Sequence, residues 1–119
     1  MKNVLVVDDA MFMQMTLQKI LEGSGRYKVI ATAKDGEEAL NQYKMWKPDI
    51  VTMDITMEGV DGLTAVEMIR KFDQDAKIVM VSAMGQQDKV VEAINLGAMN
   101  FIVKPFEPDR VLAALDKLN

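Results

Sequence analysis

Five short apolar runs rich in β-branched side chains recur along the chain: Val4 to Val7, Val29 to Ala33, Ile50 to Met53, Ile78 to Val81, and Phe101 to Val103. Each is nearly continuous rather than alternating, which is the pattern of strands covered on both faces. After every run the apolar spacing changes to three or four. Met13, Leu17, Ile20 and Leu21 mark the first such stretch, Ala39, Leu40 and Tyr43 the second, and Leu63, Val66 and Ile69 the third. Val90, Ala93, Ile94 and Leu96 mark the fourth, and Val111, Leu112, Leu115 and Leu118 the last. That period puts these residues on one face of a helix. Asp35-Gly36 and Asp61-Gly62 are suited to start helices, Gly97 to follow one in a left-handed conformation, and Pro108 to occupy a first helical position. The alternation predicts an α/β fold of five strand-helix units, (βα)5, with a parallel sheet between two layers of helices. No linker, repeat or low-complexity tract interrupts it, so residues 1–119 are expected to form one domain.

The polar residues that end the runs carry the chemistry. Asp8 and Asp9 end the first run, Asp54 the third, Ser82 the fourth and Lys104-Pro105 the fifth. In open parallel sheets ligands sit beyond the carboxyl ends of the strands, so these groups are expected on one edge. Each has a plain structural reading by itself: Asp9 as a cap for the first helix, Asp54 as a turn former, Ser82 as a loop hydrogen-bond donor, Lys104 as a solvated residue before proline. Together they pose a charge problem. Two carboxylates about 4 Å apart repel by ~1 kcal/mol in water and ~4 kcal/mol at an effective dielectric near 20, so three of them need a cation.

Composition narrows which cation and which chemistry. The chain has no cysteine and no histidine, which excludes thiolate catalysis, a Ser-His-Asp triad and His- or Cys-bound metals. An all-oxygen donor set points to Mg²⁺, with Mn²⁺ or a similar hard divalent ion as a substitute. Three carboxylates, one ammonium and one divalent ion sum to zero charge. An acyl phosphate on one carboxylate adds about one negative charge, which metal and lysine can absorb; that is what phosphoryl transfer asks of a protein. The formal net charge of −4 argues against nucleic-acid binding. No segment approaches the roughly 20 apolar residues of a membrane span and no secretory leader is evident, so membrane insertion is not expected and a cytoplasmic location is. Eleven methionines are expected mainly in the core. Those at 11, 13 and 15 cannot share one helix face; Met13 is the expected core residue, and Met11 or Met15 the one free for a partner.

Asp8-Asp9, Asp54, Ser82-Ala83 and Lys104-Pro105, in that order and each at a strand end, resemble the signature of response-regulator receiver domains over the whole chain. Within that family, Met84 to Gln87 and Phe12-Met13 look most like the stand-alone chemotaxis regulators. The resemblance implies a doubly wound, flavodoxin-like sheet in the order 2-1-3-4-5. It implies that Asp54 is the phosphoacceptor, supplied by a phosphohistidine on a partner histidine kinase. Asp9, Asp54 and the main-chain carbonyl of Thr56 would ligate Mg²⁺, Asp8 would act mostly through water, and Ser82 and Lys104 would hold the phosphoryl oxygens. Phe101 matches an aromatic switch position that moves with Ser82, although a strand aromatic half covered by helices would look the same. Self-phosphorylation and self-dephosphorylation would be the only intrinsic activities. The implied partners are the kinase, a flagellar motor switch protein or another target, and a phosphatase, with the regulator itself a monomer. Glu58 departs from the family's usual proline, and Thr56 and Met84 stand at positions that tune hydrolysis of the acyl phosphate.

Other classes fit less well. A phosphorelay intermediate, or a receiver excised from a longer regulator, would share every motif. A haloacid-dehalogenase-type phosphatase wants a second acid two residues after its nucleophile, and neither Asp8-Asp9-Ala10 nor Asp54-Ile55-Thr56 provides it. A flavodoxin-like electron carrier wants a hydroxyl- and glycine-rich phosphate loop after the first strand, where Asp8-Asp9-Ala10-Met11 stands instead.

Overall fold

The computed structural model describes residues 1–118; Asn119, the last residue of the predicted domain, lies outside the described residues. Strands and helices alternate as β1 (Lys2–Val7), α1 (Met11–Gly23), β2 (Tyr27–Ala33), α2 (Gly36–Trp46) and β3 (Ile50–Asp54). There follow α3 (Gly62–Phe72), β4 (Ile78–Ser82), α4 (Gln87–Asn95), β5 (Asn100–Val103) and α5 (Pro108–Asp116). All strand pairings are parallel and the order is β2-β1-β3-β4-β5, as the resemblance implied. β2 lies on one side of β1 and β3 on the other, so the strand order reverses between β1 and β3, and this switch point falls between the strands that end in the acids.

Period two along the strands divides the core. Leu5, Val7, Val51, Met53, Ile78 and Met80 face α2, α3 and α4, packing on Tyr43, Val66 and Ile69. Val4, Val6, Ile50, Val79 and Ile102 face α1 and α5, packing on Leu17, Leu21, Val111 and Leu115. Every residue of β3 and β4 is buried, which the unbroken apolar runs reflect. β1 and β2 begin two residues before their apolar runs, because backbone pairing continues through polar residues: the Lys2 N–H donates to the Arg26 carbonyl at 3.0 Å. A bulge also intervenes. Val4 pairs with Val29 and Leu5 with Ala31, so Ile30 is the extra residue on β2.

The helix punctuation follows the expected chemistry. Asp35 and Asp61 accept from the N–H groups of Glu38 and Thr64 at 2.9 Å, capping α2 and α3. Pro108 opens α5. After α4 the Ala98 N–H donates to the Ala93 carbonyl and the Gly97 N–H to the Ile94 carbonyl, with Gly97 at φ +118°, a left-handed helix stop. Asp9 does not cap α1: Ala10 is the cap residue and no side chain bonds there. The methionines also depart from expectation. Met53, Met57 and Met80 are buried, but Met1, Met11, Met15, Met45, Met84 and Met99 are exposed. The buried ones come from strand or loop positions between layers, whereas most of the exposed ones lie on the outer faces of helices or in loops. Met13, expected in the core, is only partly buried and belongs to neither core cluster.

Candidate functional site

Four strand ends meet at one edge. Asp8 follows β1, Asp54 closes β3, Ser82 closes β4 and Lys104 follows β5. Carboxylate oxygens of Asp8, Asp9 and Asp54 all lie within 4.8 Å of one another. Asp8, Asp54 and Ser82 are buried while Asp9 is exposed, so the cluster is a well with one acid on its rim. The Lys104 ammonium reaches into it, 3.3 Å from Asp8 Oδ2 and 3.5 Å from Asp54 Oδ1. Asp8 is further held by the Ala10 N–H, which donates to its Oδ1 at 2.9 Å.

Backbone packing explains why these groups stay together. The Lys104 N–H donates to the Ser82 carbonyl at 2.7 Å, carrying the β4-β5 pairing to the mouth of the site. On the other side, the Gly62 N–H donates to the Ile55 carbonyl, and a Cβ on Gly62 would collide with the Asp54 carbonyl oxygen. Only glycine lets the first turn of α3 lie against the backbone of Asp54.

Electrostatically, the Asp54 carboxyl is pushed up to about 6, first by burial and next by the Asp8 charge, with Lys104 opposing. A carboxylate in this state is under-compensated. One ammonium facing three carboxylates leaves a formal excess of two negative charges, which a divalent cation removes. The donor set fits Mg²⁺: it is all oxygen, and its atoms, all within 4.8 Å of one another, need only a small contraction to reach the ~3 to ~4.2 Å that separates ligands on an octahedron with ~2.1 Å bonds.

Of the remaining predicted residues, Thr56 sits exposed two positions beyond Asp54, and its hydroxyl accepts from Gln86 Nε2 at 2.7 Å. Phe101 is 45% exposed on β5 and lines a groove of about 450 Å³ with Ser82, Met84, Val90, Val91 and Val103. Met84 stands out into solvent. Glu58 is exposed and takes no part in the acidic cluster. Two glutamines had no role assigned from the sequence, although Gln86 lies within the Met84 to Gln87 segment that carries the chemotaxis resemblance. Gln14 Nε2 donates to the Asp8 carbonyl at 2.7 Å and to the Ala33 carbonyl at 3.3 Å, pinning the loop before α1. Gln86 Oε1 accepts from the Ala83 N–H at 2.7 Å while its Nε2 holds Thr56. Neither amide lies at a strand end, and nothing in the apolar pattern marks it.

The chain belongs to the response regulator receiver domain family, whose model matches residues 4–116. Such a domain is a switch protein. Among curated relatives, chemotaxis protein CheY of Thermotoga maritima is 54% identical over 118 residues, covering 99% of this chain and 98% of that protein. CheY of Bacillus subtilis is 52% identical over 115 residues, covering 97% and 95%. A crystal structure of the CheX-CheY-BeF3-Mg+2 complex from Borrelia burgdorferi superposes with a TM-score of 0.93 at 41% identity, covering 98% of this chain and 88% of that one. The protein is thus a receiver closely related to CheY, a phosphorylation-activated response regulator of chemotaxis. Among the described residues no helix is long and apolar enough to cross a membrane.

Proposed function

We propose that Asp54 is the phosphoacceptor of a single receiver domain that a partner histidine kinase charges in a two-component chemotaxis pathway. One observation carries this reading: a buried carboxylate, raised towards neutrality, faces an ammonium at 3.5 Å and two further acids at the end of the central strand. In the transfer an Asp54 oxygen attacks the phosphorus of a phosphohistidine. The P–N bond breaks and its electron pair returns to the imidazole nitrogen of the donor. Lys104 neutralises the equatorial oxygens and the Ser82 hydroxyl donates to one of them. Asp9, Asp54 and the Thr56 main-chain carbonyl would hold Mg²⁺, which supplies the remaining charge neutralisation. Asp8, buried beside Lys104, orients the ammonium as well as the metal's water shell. Small phosphodonors such as acetyl phosphate would serve in place of the kinase, and water would remove the group again.

The phosphorylated form is read by another protein, a flagellar motor switch protein being the expected target, with Ser82 and Phe101 moving inward together. The related CheY was crystallised with CheX, which supports a dedicated partner for this regulator as well; a phosphatase is the expected kind. The regulator is expected to work as a cytoplasmic monomer. Incubation with acetyl phosphate and Mg²⁺ followed by intact mass should add one phosphoryl group, absent in Asp54→Asn and absent with chelator. No gain in the wild type would refute the assignment. Capture of the target should strengthen with beryllofluoride, and equal capture without it would remove the motor-type output.

A further inference from the structure

The side-chain amide of Gln86 spans the two loops that frame Asp54. Its Oε1 accepts from the Ala83 N–H and its Nε2 donates to the Thr56 hydroxyl, each at 2.7 Å. Gln86 is the cap residue of α4, where a polar side chain ordinarily turns onto the helix's own first N–H groups, yet it makes no such bond. It reaches backwards instead. Among the described residues no other side-chain hydrogen bond joins the loop of residues 55–61 to that of residues 83–86.

The two loops carry different duties. Thr56 lies two residues past Asp54 on the chain that leads into α3, and that chain is clamped by the contact between Gly62 and the Asp54 backbone. Ala83 shares a peptide plane with Ser82. Any movement of Ser82 towards a group on Asp54 carries the Ala83 N–H with it, and Gln86 Oε1 is bonded to that N–H. Gln86 therefore ties a loop that must move to a loop that is held.

We propose that Gln86 is a positioning residue whose amide staples the two loops in the unphosphorylated state and so sets how readily the site accepts a phosphoryl group, an inference that rests on the receiver reading above. Two neutral, solvent-exposed hydrogen bonds, each no stronger than the low end of the ordinary range, correspond to a bias of roughly threefold to tenfold.

The test uses beryllofluoride with Mg²⁺, titrated by calorimetry into the full chain and its variants. Gln86→Leu keeps most of the bulk and removes both bonds; it should bind beryllofluoride about threefold to tenfold more tightly than wild type and be phosphorylated faster by acetyl phosphate. Thr56→Val removes the other end of the staple and should move affinity in the same direction. The double variant should bind no more tightly than the stronger single, because both remove one device. A purely structural role for Gln86 would lower stability without this coupling. Unchanged or weaker binding in Gln86→Leu, or additive effects in the double variant, would overturn the staple. Should Gln86→Leu fold poorly, Thr56→Val alone still decides: unchanged or weaker binding there also overturns it. Failure of the wild type to bind beryllofluoride in an Asp54-dependent way would instead overturn the underlying receiver reading.

Discussion

Asp54 holds its proton more tightly in the folded protein than in the unfolded chain, and that difference has a sign. Its ordinary value is 3.8 and its folded value about 6. Between those limits the folded state binds the extra proton, so the favourable contribution is fully present below the lower value and is lost as pH rises through the upper one. Without metal at neutral pH, Asp54 therefore destabilises the fold by up to about 3 kcal/mol. Asp54→Asn should raise stability against urea at pH 7 in chelator, and the advantage should vanish below about pH 4; an advantage independent of pH would contradict this origin. A second buried polar group sits close by. The Thr52 hydroxyl is fully buried on β3 with no hydrogen-bond partner among the described residues. Thr52→Val keeps the shape and removes the desolvated hydroxyl, and should stabilise by about 1 kcal/mol in urea melts. Met84, exposed beside Ser82, cannot accept well from a water approaching the acyl phosphate. Met84→Glu introduces such an acceptor and should speed Mg²⁺-dependent loss of the phosphoryl group a few-fold, read by the decay of the modified mass.

At the scale of elements, the start of α3 is the closest backbone approach at any glycine of the chain. Gly62 has the Asp54 carbonyl where its Cβ would be, whereas Gly23 at the end of α1 has nothing within 4 Å. Gly62→Ala should cost about 3 kcal/mol or more in urea melts, since the obstacle is backbone and cannot rotate away. Gly23→Ala should be neutral to stabilising by about 0.5–1 kcal/mol in the same assay. This joint also shows where sequence patterns stop being informative. The runs ending in Asp8, Asp54 and Ser82 were legible because burial on both faces forces continuous apolar strands, and the first polar residue then marks the strand end; the run ending in Lys104 is apolar too, but Phe101 and Val103 on β5 are exposed, so double-sided burial does not account for it. Asp61-Gly62 was legible as a helix start, but that its glycine presses on Asp54 was not, because the contact depends on how two elements cross. Gln14 and Gln86 were hidden for the same reason. The exposed methionines misled, because hydrophobicity alone does not say which side of a helix meets the sheet.

For the molecule as a whole, the proposed divalent cation would compete with the proton on Asp54 for one well. Added Mg²⁺ should raise the thermal midpoint at pH 7 by mass action, and the gain should shrink as pH falls through about 6 and be largely absent in Asp54→Asn. An equal gain in Asp54→Asn would place the metal elsewhere. The shared ammonium of Lys104 gives this competition a further meaning. It lies within 3.5 Å of two of the three acids and cannot diffuse away, so the well is never stripped of all its positive charge. A resident, tethered counterion lowers the gain from acquiring a free one. The proposed divalent ion would be held less tightly for it, and the duration of a signal would then be set by the lifetime of the acyl phosphate rather than by the departure of a metal.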